Sequence, residues 1–375
     1  MLTAAGCLSR RNRLFAALPA DVDLVVASSP ETIAWLSGFT ASPFVFRSQG
    51  ATAILLVRRD GTATLVVDSL QDVFAERALA VDCIQPVWYR CVEAAGDRRD
   101  VTLGPVLEQL RSRSGSSARV ALEANHCPAV VAAACPGSVD VSPVVLRLRR
   151  TKDSDEVAQI RRCLDIATVA LNTTRAAVQP GWSELDLFRS VVESANAAAG
   201  ETVVVYGDFV CGAGCEAGGG APGTRTVQAG NLVLLDFSVV LAGYRGDFAS
   251  TFVCNGEPLS RWRELERACL DAMAQAIPQL RPGVRAADVH RSVVSLFEER
   301  GLDKLYPHHT GHGIGVGHPE APFLVPASDE QLAAGDVVTL EPGLYQPGVG
   351  GMRFEHTFAI SSDGTTQLTT HPLGL

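Results

Sequence analysis

Four carboxylates and one imidazole in the second half of this 375-residue chain are spaced so that they could hold metal ions. The carboxylates come in two pairs, Asp236 with Asp247 and Glu341 with Glu355, and His312 lies between the pairs. Oxygen donors with a single histidine suit Mn, Co, Zn or Fe better than a structural zinc site, which prefers thiolates. Five such ligands, some of them bridging, are enough for two ions about 3.5 Å apart.

The first acidic pair lies in a stretch that predicts a β-hairpin. Two runs rich in β-branched residues, 232–241 and 244–253, flank a short alanine-glycine break. In an antiparallel hairpin, the numbers of two residues that pair across the ladder always have the same sum. A turn centred at 241–242 therefore places Asp236 directly opposite Asp247. Like charges across a ladder repel, and their burial is costly unless a counter-charge is present. A metal cation would supply that charge.

The second acidic pair repeats this arrangement. Residues 336–360 again resemble two strands around a turn that contains glycine and proline, at 346–351. Centring that turn at Gly348 places Glu341 opposite Glu355. For an isolated pair, two solvent-facing carboxylates near a turn would be the preferred interpretation, and the repetition weakens it.

The order and contexts of the five residues resemble those of a known family, the pita-bread metallopeptidases of M24 type. That family includes methionine aminopeptidase, Xaa-Pro aminopeptidase, prolidase and creatinase. The matching contexts are LLDFS, GDFAST, GHGIG, LEPGLY and RFEHT. Each motif alone is weak, but together their order and spacing are specific. The resemblance implies a metallopeptidase-type hydrolase that cleaves the bond before proline in short peptides, with two divalent ions (Mn, Co, Zn or Fe) as cofactors.

The resemblance also implies a role for each ligand. Asp236 would hold one ion, His312 and Glu341 would hold the other, and Asp247 and Glu355 would bridge them. Glu341 would also be catalytic, accepting a proton from the attacking water and returning it to the leaving nitrogen.

Other side chains near these motifs are candidates with competing interpretations. Arg353 lies two residues before Glu355, on the same strand face, and is expected to orient ligand carboxylates. His308 and His318 are expected catalytic residues, although each could be a satisfied structural histidine. The structural interpretation is stronger for His309.

The substrate side departs from the family pattern. Where the peptidases carry a substrate-contacting histidine, this chain has Gly219, within the glycine-rich segment 212–223. The peptidases place a second histidine seven residues after the metal histidine, but position 319 is proline and His318 stands one residue early. Cleavage of Xaa-Pro peptides is therefore expected to be slow unless His318 substitutes. The glycine-rich segment is equally consistent with a flexible connection.

Two classes of function therefore stay open. The first is the peptidase. The second is a non-peptidase relative, a hydrolase or lyase of a small amide, amidine or onium compound, which is favoured by Gly219. A catalytically idle binding module is the weakest alternative because every metal ligand is retained. In either class the expected partner is a small peptide or small-molecule substrate, and the resemblance implies a homodimer.

The length of the chain suggests two domains. Residues 1–145 alternate strand-like and helix-like runs, which predicts an α/β domain, and the stretch from Val25 resembles the creatinase-type N-terminal domain. Residues 151–375 follow the order helix pair, hairpin, helix pair, hairpin. This order predicts an α+β pita-bread catalytic domain with a pseudo-two-fold duplication. The charged run 146–153 is expected to be an exposed linker.

Sequence periodicity and capping signals predict the individual elements of both domains. The strands predicted in the first domain are 24–27, 51–57, 63–67, 81–87 and 119–122. The helices predicted there are an amphipathic first helix around 14–18, then 30–36, 69–79 and 103–112. The helices predicted in the second domain begin at 154 and then cover 183–199, 259–280 and 286–300.

Composition and charge exclude several classes of protein. Apolar residues make up 47% of the chain and charged residues 19%, as in ordinary globular proteins. A formal charge of −9 argues against a nucleic-acid partner, and no apolar stretch reaches the roughly 18 residues of a membrane span. The ten cysteines contain no CxxC pair, and the apolar run near the N-terminus is too short for an export signal. We therefore expect a cytoplasmic protein with reduced, mostly buried thiols.

Overall fold

Two units of different architecture, Met1–Arg149 and Arg150–Leu375, make up the chain. The computed structural model describes residues 1–41, 53–88, 98–113 and 117–375. The beginning of the strand predicted at 51–57 and Cys91 lie outside those ranges. Among the described residues, no helix is both long enough and apolar enough to cross a membrane.

The first unit is built on a mixed six-stranded sheet. Its strands are β1 (Val22–Ala27), β2 (Ile54–Arg58), β3 (Ala63–Asp68), β4 (Cys83–Val87), β5 (Arg119–Leu122) and β6 (Val139–Asp140). Its helices are α1 (Ala4–Ala16), α2 (Pro30–Ser37), α3 (Asp72–Ala75), α4 (Arg98–Arg111), α5 (Ala129–Ala133) and α6 (Ser142–Arg150). The strand order is β4-β3-β2-β1-β5-β6, and the β1–β5, β3–β4 and β5–β6 pairs are parallel. The predicted α/β class is confirmed.

The structure differs from two predictions for this part of the chain, the length of one helix and the linker. The helix expected over 69–79 is reduced to α3, because the N–H groups of Leu79 and Ala80 both donate to the carbonyl of Ser37 and draw the chain out of the helix. The run 146–153 is not an exposed linker. It lies mostly in α6, and the buried Lys152 that follows forms an ion pair with Glu320 at 2.6 Å.

The second unit repeats a helix pair followed by an antiparallel sheet. Its helices are α7 (Ser154–Ala177), α8 (Glu184–Ala199), α9 (Ser260–Ala276) and α10 (Ala286–Glu299). The strands of the first sheet, in the order β7-β8-β9, are β7 (Val204–Cys211), β8 (Leu232–Leu241) and β9 (Tyr244–Val253). The later strands are β10 (Gly311–Gly313), β11 (Glu320–Leu324), β12 (Val337–Leu340), β13 (Gly343–Gln346), β14 (Gly350–Arg353), β15 (His356–Ser361) and β16 (Gly364–Gln367).

The later strands form a five-stranded sheet in the order β11-β10-β12-β15-β16 and a separate two-stranded ribbon, β13-β14. Their packing explains the apolar periodicity of the second helix pair. Leu265 of α9, Val289 of α10 and Leu340 of β12 belong to one buried cluster. The expected α+β pita-bread architecture with its duplication is therefore confirmed.

Capping explains where the first helix pair begins and ends. At α8, Ser183 accepts the N–H of Asp186, and the Asp186 carboxylate accepts the N–H of Ser183 in return. Gly200 ends that helix in the left-handed conformation, at φ 72°. A second capping box, between Asp153 and Glu156, begins α7. The predicted N-cap Ser183 and the predicted start of α7 at Ser154 are confirmed, and the residue that caps α7 is Asp153.

The β8–β9 hairpin has the predicted strand limits but not the predicted register. Ala242 and Gly243 both have positive φ, at 51° and 80°, which is the signature of a two-residue type I′ turn. Such a turn lies between residues 242 and 243, so Asp236 pairs with Ala249 and not with Asp247. The ladder is displaced by two residues. Because side chains alternate with a period of two, this displacement keeps both carboxylates on one face.

The second hairpin has the predicted register but is interrupted. Gln346 pairs with Gly350 across the turn, and Leu340 pairs with His356 further along, so one register runs through both strand pairs. That register places Glu341 opposite Glu355, as expected. Both residues lie in the gap between the β13–β14 ribbon and the β12–β15 pair, where regular pairing stops.

Candidate metal centre and active site

Three of the expected metal ligands meet between the two sheets. Asp236 comes from β8, Asp247 from β9, and Glu355 from the junction between β14 and β15. Each offers a carboxylate oxygen, and these oxygens lie within 4.8 Å of one another. Asp247 and Glu355 are buried, and 17% of the Asp236 side chain is exposed.

A second group brings the imidazole to the same place. His309, His312 and Glu341 offer atoms within 4.8 Å of one another, and so do Asp247, His312 and His318. The groups share members. His312 Nε2 lies 3.5 Å from Glu341 Oε1 and 3.8 Å from Asp247 Oδ2. All five residues singled out as metal ligands therefore belong to one set of overlapping groups.

A backbone hydrogen bond sets the tautomer of His312. Its Nδ1 lies 2.9 Å from the carbonyl oxygen of Gly313, which can only accept, so Nδ1 carries the proton. The lone pair of Nε2 is then available and faces Glu341 and Asp247. This is the usual way in which proteins orient a histidine for a metal.

Neighbouring side chains hold two of the carboxylates. Ser238 Oγ donates to Asp247 Oδ1 at 2.9 Å, and His318 Nε2 lies 2.6 Å from Asp247 Oδ2. His309 Nε2 lies 3.1 Å from Glu341 Oε1. Such partners fix the direction in which a carboxylate presents its remaining lone pairs.

The pKa values of the other two carboxylates, Asp236 and Glu355, are raised by burial and by repulsion from neighbouring carboxylates. Burial raises the pKa of Asp236 to about 7, opposed by the charge of Arg353 and reinforced by that of Asp247. Burial also raises the pKa of Glu355 far above its usual range, and the charges of Asp247 and Glu341 add to the effect. Without a cation, these carboxylates cannot all be ionised at low energetic cost.

Neighbouring imidazoles lower the pKa values of the other two carboxylates, Asp247 and Glu341. Burial alone would raise the pKa of Asp247, but the hydrogen bond and charge of His318, with the charge of His312, lower it to about 2. Burial likewise acts to raise the pKa of Glu341. The hydrogen bond from His309 and the charges of His312 and His309 outweigh it and lower that pKa to about 2.

The donor set fits divalent cations. Glu355 Oε1 is buried and has no hydrogen-bond partner among the described residues, and Glu355 is a member of the group formed with Asp236 and Asp247. A buried oxygen without a partner is costly unless a ligand completes it. Carboxylate oxygens with one oriented imidazole are donors that Mn, Co, Zn and Fe accept.

Backbone hydrogen bonds tie the ligand-bearing segments to other strands. The N–H of Glu355 donates to the carbonyl of Ala249 on β9 at 3.0 Å. The N–H of Glu341 donates to the carbonyl of Thr310, just before β10, at 2.9 Å. Two of the five candidate ligands, both in the gap of the second hairpin, are thus held by neighbours outside that hairpin.

Comparison with known proteins places the chain in a family. The family model described as Metallopeptidase family M24 matches residues 158–362, more than half of the chain. This chain belongs to metallopeptidase family M24. The model of the creatinase/prolidase N-terminal domain matches residues 10–151. The resemblance inferred from the five short motifs is therefore confirmed.

Individual M24 relatives are distant. An uncharacterized peptidase of Staphylococcus aureus strain USA300 is 28% identical over 235 residues, which are 61% of this chain and 65% of that relative's length. The match thus spans less than two thirds of the relative. Among solved structures, the Xaa-Pro dipeptidase from Bacillus anthracis is 22% identical, with a TM-score of 0.81 over 98% of this chain and 99% of that chain. The X-Pro aminopeptidase from Thermotoga maritima is also 22% identical, with a TM-score of 0.82 over 98% of each chain. These two structures share the fold.

In this M24 chain, His318 reaches the site although it stands one residue early in the sequence. Its ring centroid lies 4.9 Å from that of His312, and its Nε2 contacts Asp247. Burial acts to lower the pKa of His318, but the hydrogen bond and charge of Asp247 raise it on balance. His318 is thus a proton-bearing side chain at the centre, with 29% of its surface exposed.

His308 lies beside the centre and is held in a neutral form. Its Nδ1 lies 2.8 Å from the carbonyl of His309, and its Nε2 lies 3.1 Å from the hydroxyl of Tyr345. Burial lowers the pKa of His308 to about 4 and raises the pKa of Tyr345. The tyrosine hydroxyl therefore donates and the imidazole accepts.

Arg353 contacts carboxylates of the chain itself. Its Nε lies 2.8 Å from Asp236 Oδ2, its Nη2 lies 3.2 Å from Asp208 Oδ2, and Nη2 also donates to the carbonyl of Gly218 at 2.7 Å. Only 12% of the side chain is exposed. Arg353 therefore orients carboxylates of the chain, and its expected role toward a ligand's carboxylate stays a prediction.

Sequence reasoning missed several residues that line the site. They are Asp208, Ser238, His309 and Tyr345. His309 was expected to be structural, but it contacts Glu341. Asp208 lies on β7, whose sequence VVYGDFVC has the β-branched and aromatic composition of a strand. That composition could have predicted the strand but not which residue would face Asp236.

The cysteines play no part in these groups. The described cysteines are free thiols, and most of them are buried. Burial raises the pKa of Cys211 to about 11 and that of Cys215 to about 12, so both thiols are protonated at neutral pH. Both behave as small apolar side chains.

Proposed function

We propose that this M24 protein is a dinuclear metal-dependent hydrolase that cleaves the bond before proline in short peptides. One observation carries the proposal. Two groups of potential ligand atoms, one made only of carboxylates and one containing an imidazole, meet where His312 Nε2 and Asp247 Oδ2 lie 3.8 Å apart. Adjacent groups with shared members are what a two-ion hydrolytic centre requires.

Each of the five ligands has a place in the proposal. Asp236 would hold one ion, His312 and Glu341 would hold the other, and Asp247 and Glu355 would be shared between them. When bound, two divalent cations would supply Lewis acidity, acidifying a water and polarising the scissile carbonyl. Manganese, cobalt, zinc and iron all suit this donor set.

The chain's own side chains handle protons and orientation. Glu341 is proposed to accept the proton of the attacking water and return it to the leaving nitrogen, a role that suits a carboxylate held in place by His309. His318 donates a hydrogen bond to the carbonyl oxygen as negative charge develops there. Its position beside Asp247 supports this role because the carboxylate keeps the imidazole protonated. His308, held by Tyr345, positions the substrate from the opposite side.

The proposal extends to the setting of the enzyme. A homodimer is proposed on the resemblance to similar proteins. A cytoplasmic location is proposed because the described cysteines are free thiols, as they would be in a reducing compartment.

Metal analysis combined with a substrate panel tests the proposal. The purified protein, reconstituted with manganese, cobalt or zinc, should bind two ions per chain and hydrolyse Ala-Pro faster than Ala-Ala, and chelation should abolish the activity. Asp271→Asn is a suitable control, since that carboxylate pairs with Arg300 at the surface of α9. A protein that holds two ions and leaves every Xaa-Pro peptide intact contradicts the peptidase assignment.

Gly219 supports a second candidate function. Without the substrate-contacting histidine, the site suits a hydrolase or lyase of a small amide, amidine or onium compound. A panel of such compounds, assayed with the same metal-loaded protein, distinguishes this second function from the peptidase function. Turnover of an onium compound or amidine with no turnover of Ala-Pro would establish the second function.

A further inference from the structure

Asp208 fills the space left on the substrate side of the site. It lies on β7 directly opposite Asp236 of β8, so both carboxylates project from the same face of the ladder. Its Oδ1 accepts the N–H of Gly220 at 3.0 Å. A side chain at Gly219 would collide with Asp208 Oδ2. Asp208 and Gly219 thus form one arrangement, in which a carboxylate from β7 takes the space that a residue at position 219 would need.

The guanidinium of Arg353 contacts two carboxylates, those of Asp236 and Asp208. Arg353 Nε lies 2.8 Å from Asp236 Oδ2, and Arg353 Nη2 lies 3.2 Å from Asp208 Oδ2. Of these two carboxylates, Asp236 belongs to a group that could hold an ion, whereas Asp208 belongs to none of those groups and stays free to bind a cationic group of a ligand. Of the two, Asp208 is more open to solvent, with 37% of its side chain exposed against 17% for Asp236. A group of a ligand can therefore reach the Asp208 carboxylate more easily than that of Asp236.

A carboxylate in place of an imidazole reverses the hydrogen-bonding requirement. An imidazole N–H donates to a substrate carbonyl, whereas an ionised carboxylate only accepts. The group that faces Asp208 must therefore be a donor. Ammonium, amidinium and guanidinium groups form the strongest such bonds to a carboxylate because these donors carry a positive charge.

We propose that Asp208 is a specificity-determining residue that binds a cationic amino group of the substrate, an inference that rests on the proposed function. In a peptide cut before proline, that group is the free N-terminal ammonium of the first residue. The backbone of Gly218–Gly220 shapes this subsite, since Gly218 accepts from Arg353 and Gly220 donates to Asp208.

A pair of ligands that differ only in the ammonium tests the assignment. Ala-Pro carries the ammonium, and propionyl-proline replaces it with hydrogen. With metal-loaded wild-type protein, Ala-Pro should bind more tightly, and Asp208→Asn should reduce that preference roughly 10- to 100-fold, the range for loss of a charged hydrogen bond. The loss should appear in KM for Ala-Pro, while metal content and the affinity for propionyl-proline stay unchanged. Glu216→Gln is the matched control, because it removes a negative charge from the same loop at a carboxylate that accepts from Gly348.

The outcomes separate this inference from the proposed function. If neither compound is hydrolysed, calorimetry supplies dissociation constants in place of KM. A preference for Ala-Pro that Asp208→Asn removes would then support the subsite although the peptidase assignment fails. Equal weakening of both compounds, or loss of metal in Asp208→Asn, would show that Asp208 acts only by holding Arg353 and would overturn the inference. So would an unchanged preference in Asp208→Asn.

Discussion

On the proposed metal-binding side of the site, four carboxylates and one imidazole belong to overlapping groups of possible ligands, and each lies on a strand or at a strand junction. On the proposed substrate side, formed by β7 and the glycine-rich segment 212–223, Gly219 stands where the resemblance implies a histidine, and the carboxylate of Asp208 packs against it. The chemistry on the metal side depends on a fixed donor set, whereas the substrate side can change with the compound that it binds. The two sides can therefore be tested separately.

The largest expected effect comes from breaking the metal side. Asp247→Ala removes the residue shared by two of the ligand groups, so at least one ion should be lost and hydrolysis should fall below detection. Elemental analysis and activity toward Ala-Pro measure this, with Asp271→Asn as the control. Full retention of metal in Asp247→Ala would contradict the ligand assignment.

His318 lies where the two sides meet, and its removal should have the next largest effect. If it donates to the developing oxyanion, His318→Ala should lower kcat/KM for Ala-Pro by about 10² to 10³, measured at a metal concentration that keeps both sites filled. His126→Ala, an exposed histidine of the first unit, provides the control. Unchanged kcat/KM in His318→Ala would show that the early histidine does not substitute for the missing one.

The packing of Asp208 against Gly219 predicts a coupled effect on stability. Gly219→Ala should destabilise the protein by about 1 to 3 kcal/mol, because the added Cβ collides with the carboxylate. Asp208→Gly in the same chain should recover part of that loss. Urea unfolding of both single variants and the double variant measures the coupling. Additive effects would show that the two residues do not share one space.

The smallest expected effect concerns Ser238, which holds one of the candidate metal ligands by a hydrogen bond. Ser238→Ala removes the hydrogen bond to Asp247 Oδ1 and should weaken metal binding about 10- to 100-fold without abolishing it. Metal titration measures the change, and the exposed Ser362→Ala serves as the control. A wild-type affinity in Ser238→Ala would show that His318 alone orients Asp247.

Much of this site could be predicted from sequence, because its ligands lie in regular strands with strong composition signals. The limits of β8 and β9 were predicted to the residue, and the register of the second hairpin was correct. The register of the first hairpin was wrong because Ala242 gives no sign that it adopts a positive φ. Asp208 was missed because its position depends on pairing with β8, and that pairing is set by contacts distant in sequence.

The gap in the second hairpin has a consequence for the motions of the protein. The amides of Glu341 and Glu355 lie where regular pairing within the hairpin stops, and their hydrogen bonds run instead to Thr310 and Ala249. Fraying of the hairpin alone cannot expose them, because their acceptors belong to other segments. Deuterium uptake at these two amides should therefore be slow and should occur only when several strands separate together. Exchange at these positions would report the opening of the whole metal centre, even though the turn at the tip of the hairpin exchanges freely.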